Sequence, residues 1–133
     1  MERNEVKRLV VKIGSSTITD NGRGLDRVFM RDIARQVAEI RSNGTEVAIV
    51  TSGAVVSGKL RIPSLGETIV EKQVAAMAGQ PRLMAAWTNS FDEFQIETGE
   101  AVYTDSDLIS AKYPLLIGLK DMVVIINAND AVN

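Results

Sequence analysis

Leu9-Val10-Val11-Lys12-Ile13-Gly14-Ser15-Ser16 is the stretch on which the reading of this chain turns. A short apolar run ends in Gly-Ser-Ser, with one lysine set inside it. The run of Leu, Val and Ile reads as a strand buried on both faces, as in a parallel sheet. A lysine there is costly to bury without a negative group nearby. The loop that follows offers backbone N–H groups, two hydroxyls and a glycine that lets a ligand approach closely. A lysine beside a donor-rich loop points to a phosphate site. The competing reading is an edge strand whose lysine snorkels to water.

Working outward, the polar loop 17–24 contains two glycines, and Asp26 is a good helix N-cap. Met30, Ile33, Val37 and Ile40 then recur at helical spacing, with Arg31, Asp32, Arg35 and Glu39 on the other face. The pattern predicts a helix over 27–42, closed by Gly44. Glu46-Val47-Ala48-Ile49-Val50 is a second buried strand, followed by Thr51-Ser52-Gly53-Ala54 and a short helix over 54–60. A helical segment over 67–78 is expected to break at Gly79-Gln80-Pro81 and resume over 82–94, ended by Gly99. Leu83, Trp87 and Phe91 should be buried, and Met77 and Met84 read as core. Ala101-Val102-Tyr103-Thr104 is a third strand, Asp105-Ser106-Asp107 a turn, and Met122-Val123-Val124-Ile125-Ile126 a fourth strand ending in Asn127-Ala128-Asn129-Asp130. Strands alternating with helical crossovers give a parallel α/β sheet in one domain, with right-handed connections.

Ligands of such sheets bind outside the carboxyl ends of the strands. Here those ends are Gly14-Ser15-Ser16, Ser52-Gly53-Ala54 and Asn127-Ala128-Asn129-Asp130, all small and polar. The second also opens a helix, whose first amides favour an anion. Each alone could be turn chemistry. Together, with Lys12 near the same rim, they predict a site for an anionic ligand. Gly53-Ala54-Val55-Val56-Ser57-Gly58-Lys59-Leu60 nearly matches the phosphate-binding loop G-x-x-x-x-G-K-[ST]. Leu60, however, has no hydroxyl for magnesium, so it is read as a decoy.

Composition narrows the chemistry. The 133 residues carry no cysteine and no histidine, which removes thiolate chemistry, the commonest general base and the commonest metal ligand. No metal site is expected. The net charge of −2 offers no basic field for nucleic acid. No run reaches the ~18 apolar residues of a membrane span, and the first residues do not read as a signal peptide. The expected setting is cytoplasmic.

Four blocks carry a resemblance: Val10 to Ser16, Val50 to Val55, Lys72-Gln73-Val74-Ala75-Ala76-Met77-Ala78-Gly79-Gln80, and Ile125 to Asp130. In this order they resemble the amino acid kinase family. The Lys-Gln…Gly-Gln block and the Asn-x-Asn-Asp end are similar to its glutamate 5-kinase branch. The resemblance implies a three-layer αβα sandwich with a mainly parallel sheet. It also implies transfer of a phosphoryl group from ATP, with Mg2+, to the side-chain carboxylate of L-glutamate, early in proline biosynthesis. Lys12 would contact the nucleotide phosphates and the transferring group, with Gly14 and Ser15 lining the transfer position. Ser52, Gly53, Asn127 and Asp130 would bind glutamate, Asp130 through the α-ammonium.

Two departures bear on this. Ala128 stands where the branch usually has glutamate. Family members also continue beyond the point matching Asn133 with a Gly-Asp-Asn-Asp-like segment and a nucleotide-binding half. Residues 1–133 thus resemble the amino-terminal, glutamate-binding part. The expectation is no adenine site, no catalysis by this chain alone, and homo-oligomers that cover its open faces. The competing reading from another class is a non-catalytic ligand-binding or oligomerisation module. A sister kinase for another acid or phosphate is a third.

Overall fold

The computed structural model describes residues 7–101 and 118–128. The elements are β1 (Arg8–Ile13), α1 (Ser15–Ile18), α2 (Arg27–Ser42), β2 (Glu46–Thr51), α3 (Ala54–Arg61), α4 (Ile69–Asp92), β3 (Thr98–Ala101) and β4 (Val123–Asn127). The four strands form one sheet in the order β1-β2-β4-β3, and every pairing is parallel. The parallel α/β expectation is therefore met.

The sequence patterns explain most elements directly. Asp26 caps α2 by accepting from the Phe29 amide at 3.0 Å, and Gly44 follows the helix end at φ +90°, a left-handed turn suited to glycine. One stripe of α2, with Met30, Ala34 and Val37, is buried. It meets Leu83, Trp87 and Phe91 of α4 and the sheet residues Val47, Ile49, Val123 and Ile125 in the main core. Trp87 and Phe91 stack within this core at 6.0 Å between ring centroids. A smaller cluster on the other face joins Ala48, Ala101 and Val124 to Leu119, which lies in helical residues 118–121.

Three expectations are corrected. First, β1 is not buried on both faces. It stands at one end of the strand order, as the competing edge-strand reading had it; Leu9, Val11 and Ile13 turn to the main core, while on the other face Val10 is 65% exposed and Lys12 is exposed. A strand's neighbours are not written in its own residues. Second, α4 runs unbroken through Gly79 and Pro81. Pro81 removes one helical hydrogen bond, a cost of about 3 kcal/mol. Buried residues on both sides of it, Ala75, Ala76, Leu83, Ala86 and Trp87, sit in one packed surface and hold the axis continuous. Met77 consequently falls on the outer side and is 73% exposed, against its reading as core. Third, Gly99 does not end the helix, which stops at Asp92. Gly99 lies inside β3, where a Cβ would overlap Met122 Sδ. Of the predicted third strand only Ala101 lies within the described residues, and the predicted turn at 105–107 lies outside them.

The start of α4 carries a pH-dependent lock. Thr68 Oγ1 accepts from the Glu71 amide at 3.1 Å and donates to Glu71 Oε1 at 2.7 Å, while Glu71 Oε2 accepts from the Gly66 amide at 2.7 Å. The Thr68 hydroxyl, then the Gly66 amide, hold the Glu71 carboxyl below its ordinary value of 4.5. A lowered folded value means stability that is present above 4.5 and lost as pH falls through the lowered value. Below pH 4.5 the parent should therefore lose a contribution that Glu71→Gln lacks, so stability should fall less with pH in the variant over that range. Equal acid limbs for the two chains would overturn this.

Candidate functional site

Parallel pairing in the order β1-β2-β4 brings three carboxyl strand ends side by side. Hydrogen bonds tie these ends together. The Ser52 amide donates to the Ile13 carbonyl at 3.0 Å, and the Ala128 amide donates to the Thr51 carbonyl at 2.8 Å. A cavity of about 270 Å³ opens at this rim. Ser15 lines it from the start of α1, Gly53 from the turn after β2, Ala54 to Val56 from the first turn of α3, and Ala128 from just past β4. Lys59 of α3, Glu67 just before α4 and Lys72 of α4 complete its lining.

Each side chain is held by its local fold. Gly53 adopts φ +112°, and a Cβ there would stand 3.1 Å from Ile18 and 3.4 Å from Leu25. Only glycine takes that backbone without strain while letting α3 start at Ala54. The turn is supported from below. Trp87 Nε1 donates to Thr51 Oγ1 at 3.1 Å, and that hydroxyl donates to the Ser52 carbonyl at 2.9 Å, all within the buried core. Thr51 and Trp87 are thus positioning residues that the motif reading passed over. The available signal was a β-branched hydroxyl at a strand end, which also suits plain core.

The predicted site residues fare differently. Ser15 and Gly53 line the cavity, and Gly14 is exposed immediately before Ser15. Ser52 is buried one residue before Gly53. Asn127 ends β4 next to Ala128, and its Oδ1 is buried with no hydrogen-bond partner among the described residues. Lys12 is the penultimate residue of β1, beside Val50 in the ladder. It is exposed, has no ion pair or side-chain hydrogen bond among the described residues, and is not part of the cavity wall. Asp130 lies outside the described residues. The stretch 53–60 is helical from Ala54 on, so it forms no phosphate-binding loop. Its Lys59 nonetheless reaches the cavity, from a helix.

The rest of the lining is basic. Lys59 Nζ pairs with Glu67 Oε1, and Lys72 Nζ stands 3.8 Å from Glu67 Oε2. Two ammonium groups share one carboxylate in the lining of a cavity that also includes the first residues of α3. Such a site attracts a small acid and leaves its second carboxylate a cation to meet. Among the described residues no group of three or more carboxylates can hold a metal ion, and no helix is long and apolar enough to cross a membrane.

Comparison with known proteins adds to this geometry. Glutamate 5-kinase from Citrifermentans bemidjiense is 39% identical over 137 residues, covering 96% of this chain and 37% of that protein. Glutamate 5-kinase from Shewanella amazonensis is 38% identical over 135 residues, covering 95% of this chain and 36% of that protein. The chain therefore spans little more than a third of the length of these relatives. Among solved structures, isopentenyl phosphate kinase from T. acidophilum superposes with a TM-score of 0.61 at 16% identity, over 91% of this chain and 56% of that one. UMP kinase from Ureaplasma parvum gives 0.57 at 18% identity, over 92% and 56%. These two likenesses speak for the fold. The amino acid kinase family profile matches residues 7–133, and the chain belongs to that family.

Proposed function

We propose that this chain is the acid-binding part of an ATP-dependent kinase that phosphorylates the side-chain carboxylate of L-glutamate. The observation that carries the reading is the cavity built from three strand ends and faced by Lys59 and Lys72, in a chain 36–39% identical to glutamate 5-kinases. A γ-carboxylate, with a reference pKa of about 4.3, is already ionised at neutral pH. It needs no general base, so a chain without histidine suffices. It does need alignment and charge neutralisation at the transferring phosphoryl group. In this reading Ser52, Gly53, Asn127 and Asp130 hold glutamate, and Lys12, Gly14 and Ser15 serve the phosphates of ATP. Magnesium enters with those phosphates. Homo-oligomers belong to the same proposal, supported by the exposed Val10, Val70, Val74 and Met77; light scattering that finds only monomer at high concentration would remove it.

Calorimetry of the 133-residue chain with L-glutamate, and with ATP and magnesium, tests the reading. Saturable glutamate binding is expected. Binding of neither ligand favours an assembly module. Preference for aspartate, N-acetylglutamate or a phosphate ester favours another member of the family. One variant sharpens the test. Glu67 occupies the two lysines that a substrate carboxylate would meet, so Glu67→Gln should tighten glutamate binding. An exposed ion pair contributes about 0.2–1 kcal/mol, hence a gain of up to about fivefold. Weaker binding by Glu67→Gln would mean that Glu67 holds the site open instead.

A further inference from the structure

A second concavity lies beside α3. It is an open groove of about 350 Å³ where Arg27, Arg61 and Arg82 converge with Ser57, Leu25 and Leu60. The three arginines come from the first residue of α2, the last of α3 and the residue after Pro81 in α4. No carboxylate lines the groove. Elsewhere Arg8, Arg31 and Arg35 each find a carboxylate, whereas Arg27, Arg61 and Arg82 make no ion pair or side-chain hydrogen bond among the described residues. Asp26, next to Arg27, is occupied in capping α2. Arg27 also stands at the positive end of its helix, where a cation is disfavoured. Three unneutralised charges around one groove are an arrangement that an anion relieves.

A second, independent feature points the same way. Ser57 is only 6% exposed, and its Oγ is buried with no hydrogen-bond partner among the described residues. A buried hydroxyl without a partner is uncommon and is readily met by a ligand oxygen. None of the residues lining this groove lines the cavity described above. The groove is thus separate from the substrate cavity and shares a helix with it.

We propose that this groove binds a small phosphate-bearing molecule, its dianionic group held by Arg27, Arg61, Arg82 and the Ser57 hydroxyl and its apolar part laid on Leu25 and Leu60. Guanidinium forks fit phosphate oxygens two at a time, and the leucines favour an organic phosphate over the bare ion. The site is independent of the kinase reading.

Titration of the 15N-labelled chain with phenyl phosphate, inorganic phosphate and pyrophosphate, at constant ionic strength, tests it. Amide shifts are expected at Ser57, Leu60, Arg61 and Arg82, with phenyl phosphate binding at least threefold tighter than inorganic phosphate. Arg61→Gln and Arg82→Gln should each weaken phenyl phosphate at least fivefold, and Ser57→Ala about threefold. Lys59→Gln, in the other cavity, should change it less than twofold. Circular dichroism checks that the variants remain folded. Shifts confined to Ser15, Gly53 and Lys59 would place the phosphate in the substrate cavity and overturn the proposal. Arginine variants that bind as the parent does would overturn it as well.

Discussion

A Gly79→Val chain is expected to unfold about 10 °C below the parent, and to lose glutamate binding with it. Gly79 of α4 faces α3 so closely that a Cβ would overlap the Ala54 carbonyl oxygen and stand 2.6 Å from the Gly58 nitrogen. The contact is reciprocal. A Cβ on Gly58 would overlap the Ala75 carbonyl oxygen and stand 2.9 Å from Ala75 Cα. Both clashes are with backbone, which cannot rotate out of the way as a side chain can. The two helices must separate, at a cost above about 3 kcal/mol. The separation reaches the site directly, because Gly53 and Ala54 at the start of α3 line the cavity. Gly14→Ala is the control. Its backbone is extended at φ −84°, nothing lies within 4 Å of a Cβ there, and the loss should stay below about 1 kcal/mol. Thermal unfolding of the three chains decides. A Gly79→Val midpoint equal to the parent's would show that α3 and α4 are not locked by this contact.

The same glycine shows where sequence reading succeeds and where it stops. In α2 the cap, the apolar stripe and the closing glycine all act within the helix, and its ends at Arg27 and Ser42 were legible. Gly79, Pro81 and Gly99 look like breakers by the same local rules. Their reasons for being small or rigid lie on other elements: α3 for Gly79, Met122 for Gly99. Local propensity was outweighed by packing that no window of sequence contains. The rim of the cavity was legible because parallel βα topology forces carboxyl strand ends together. Its basic wall was not. Lys59, Glu67 and Lys72 reach the cavity only because α4 packs back on α3, and each alone reads as solvated surface.

Asn127→Leu is expected to move stability and binding in opposite directions. Asn127 Oδ1 is buried at the end of β4 with no hydrogen-bond partner among the described residues. A buried acceptor left unpaired costs about 1–3 kcal/mol, and leucine of similar shape removes that cost. The variant should therefore unfold at a midpoint several degrees above the parent's. An acceptor without a partner among the described residues is open to a donor that a ligand supplies. In the proposed function that donor is the ammonium of L-glutamate. Loss of Asn127 takes one acceptor from an ammonium that Asp130 also meets, and should weaken binding by about tenfold, the size of a charge-assisted hydrogen bond. Asn127→Asp keeps the acceptor and adds a charge opposite the ammonium, so it should bind glutamate better than Asn127→Leu while losing the gain in stability. Denaturation and calorimetry on the two variants separate the cases. If Asn127→Leu is destabilised and binds glutamate unchanged, Asn127 is a structural residue of β4 and the ammonium is met elsewhere.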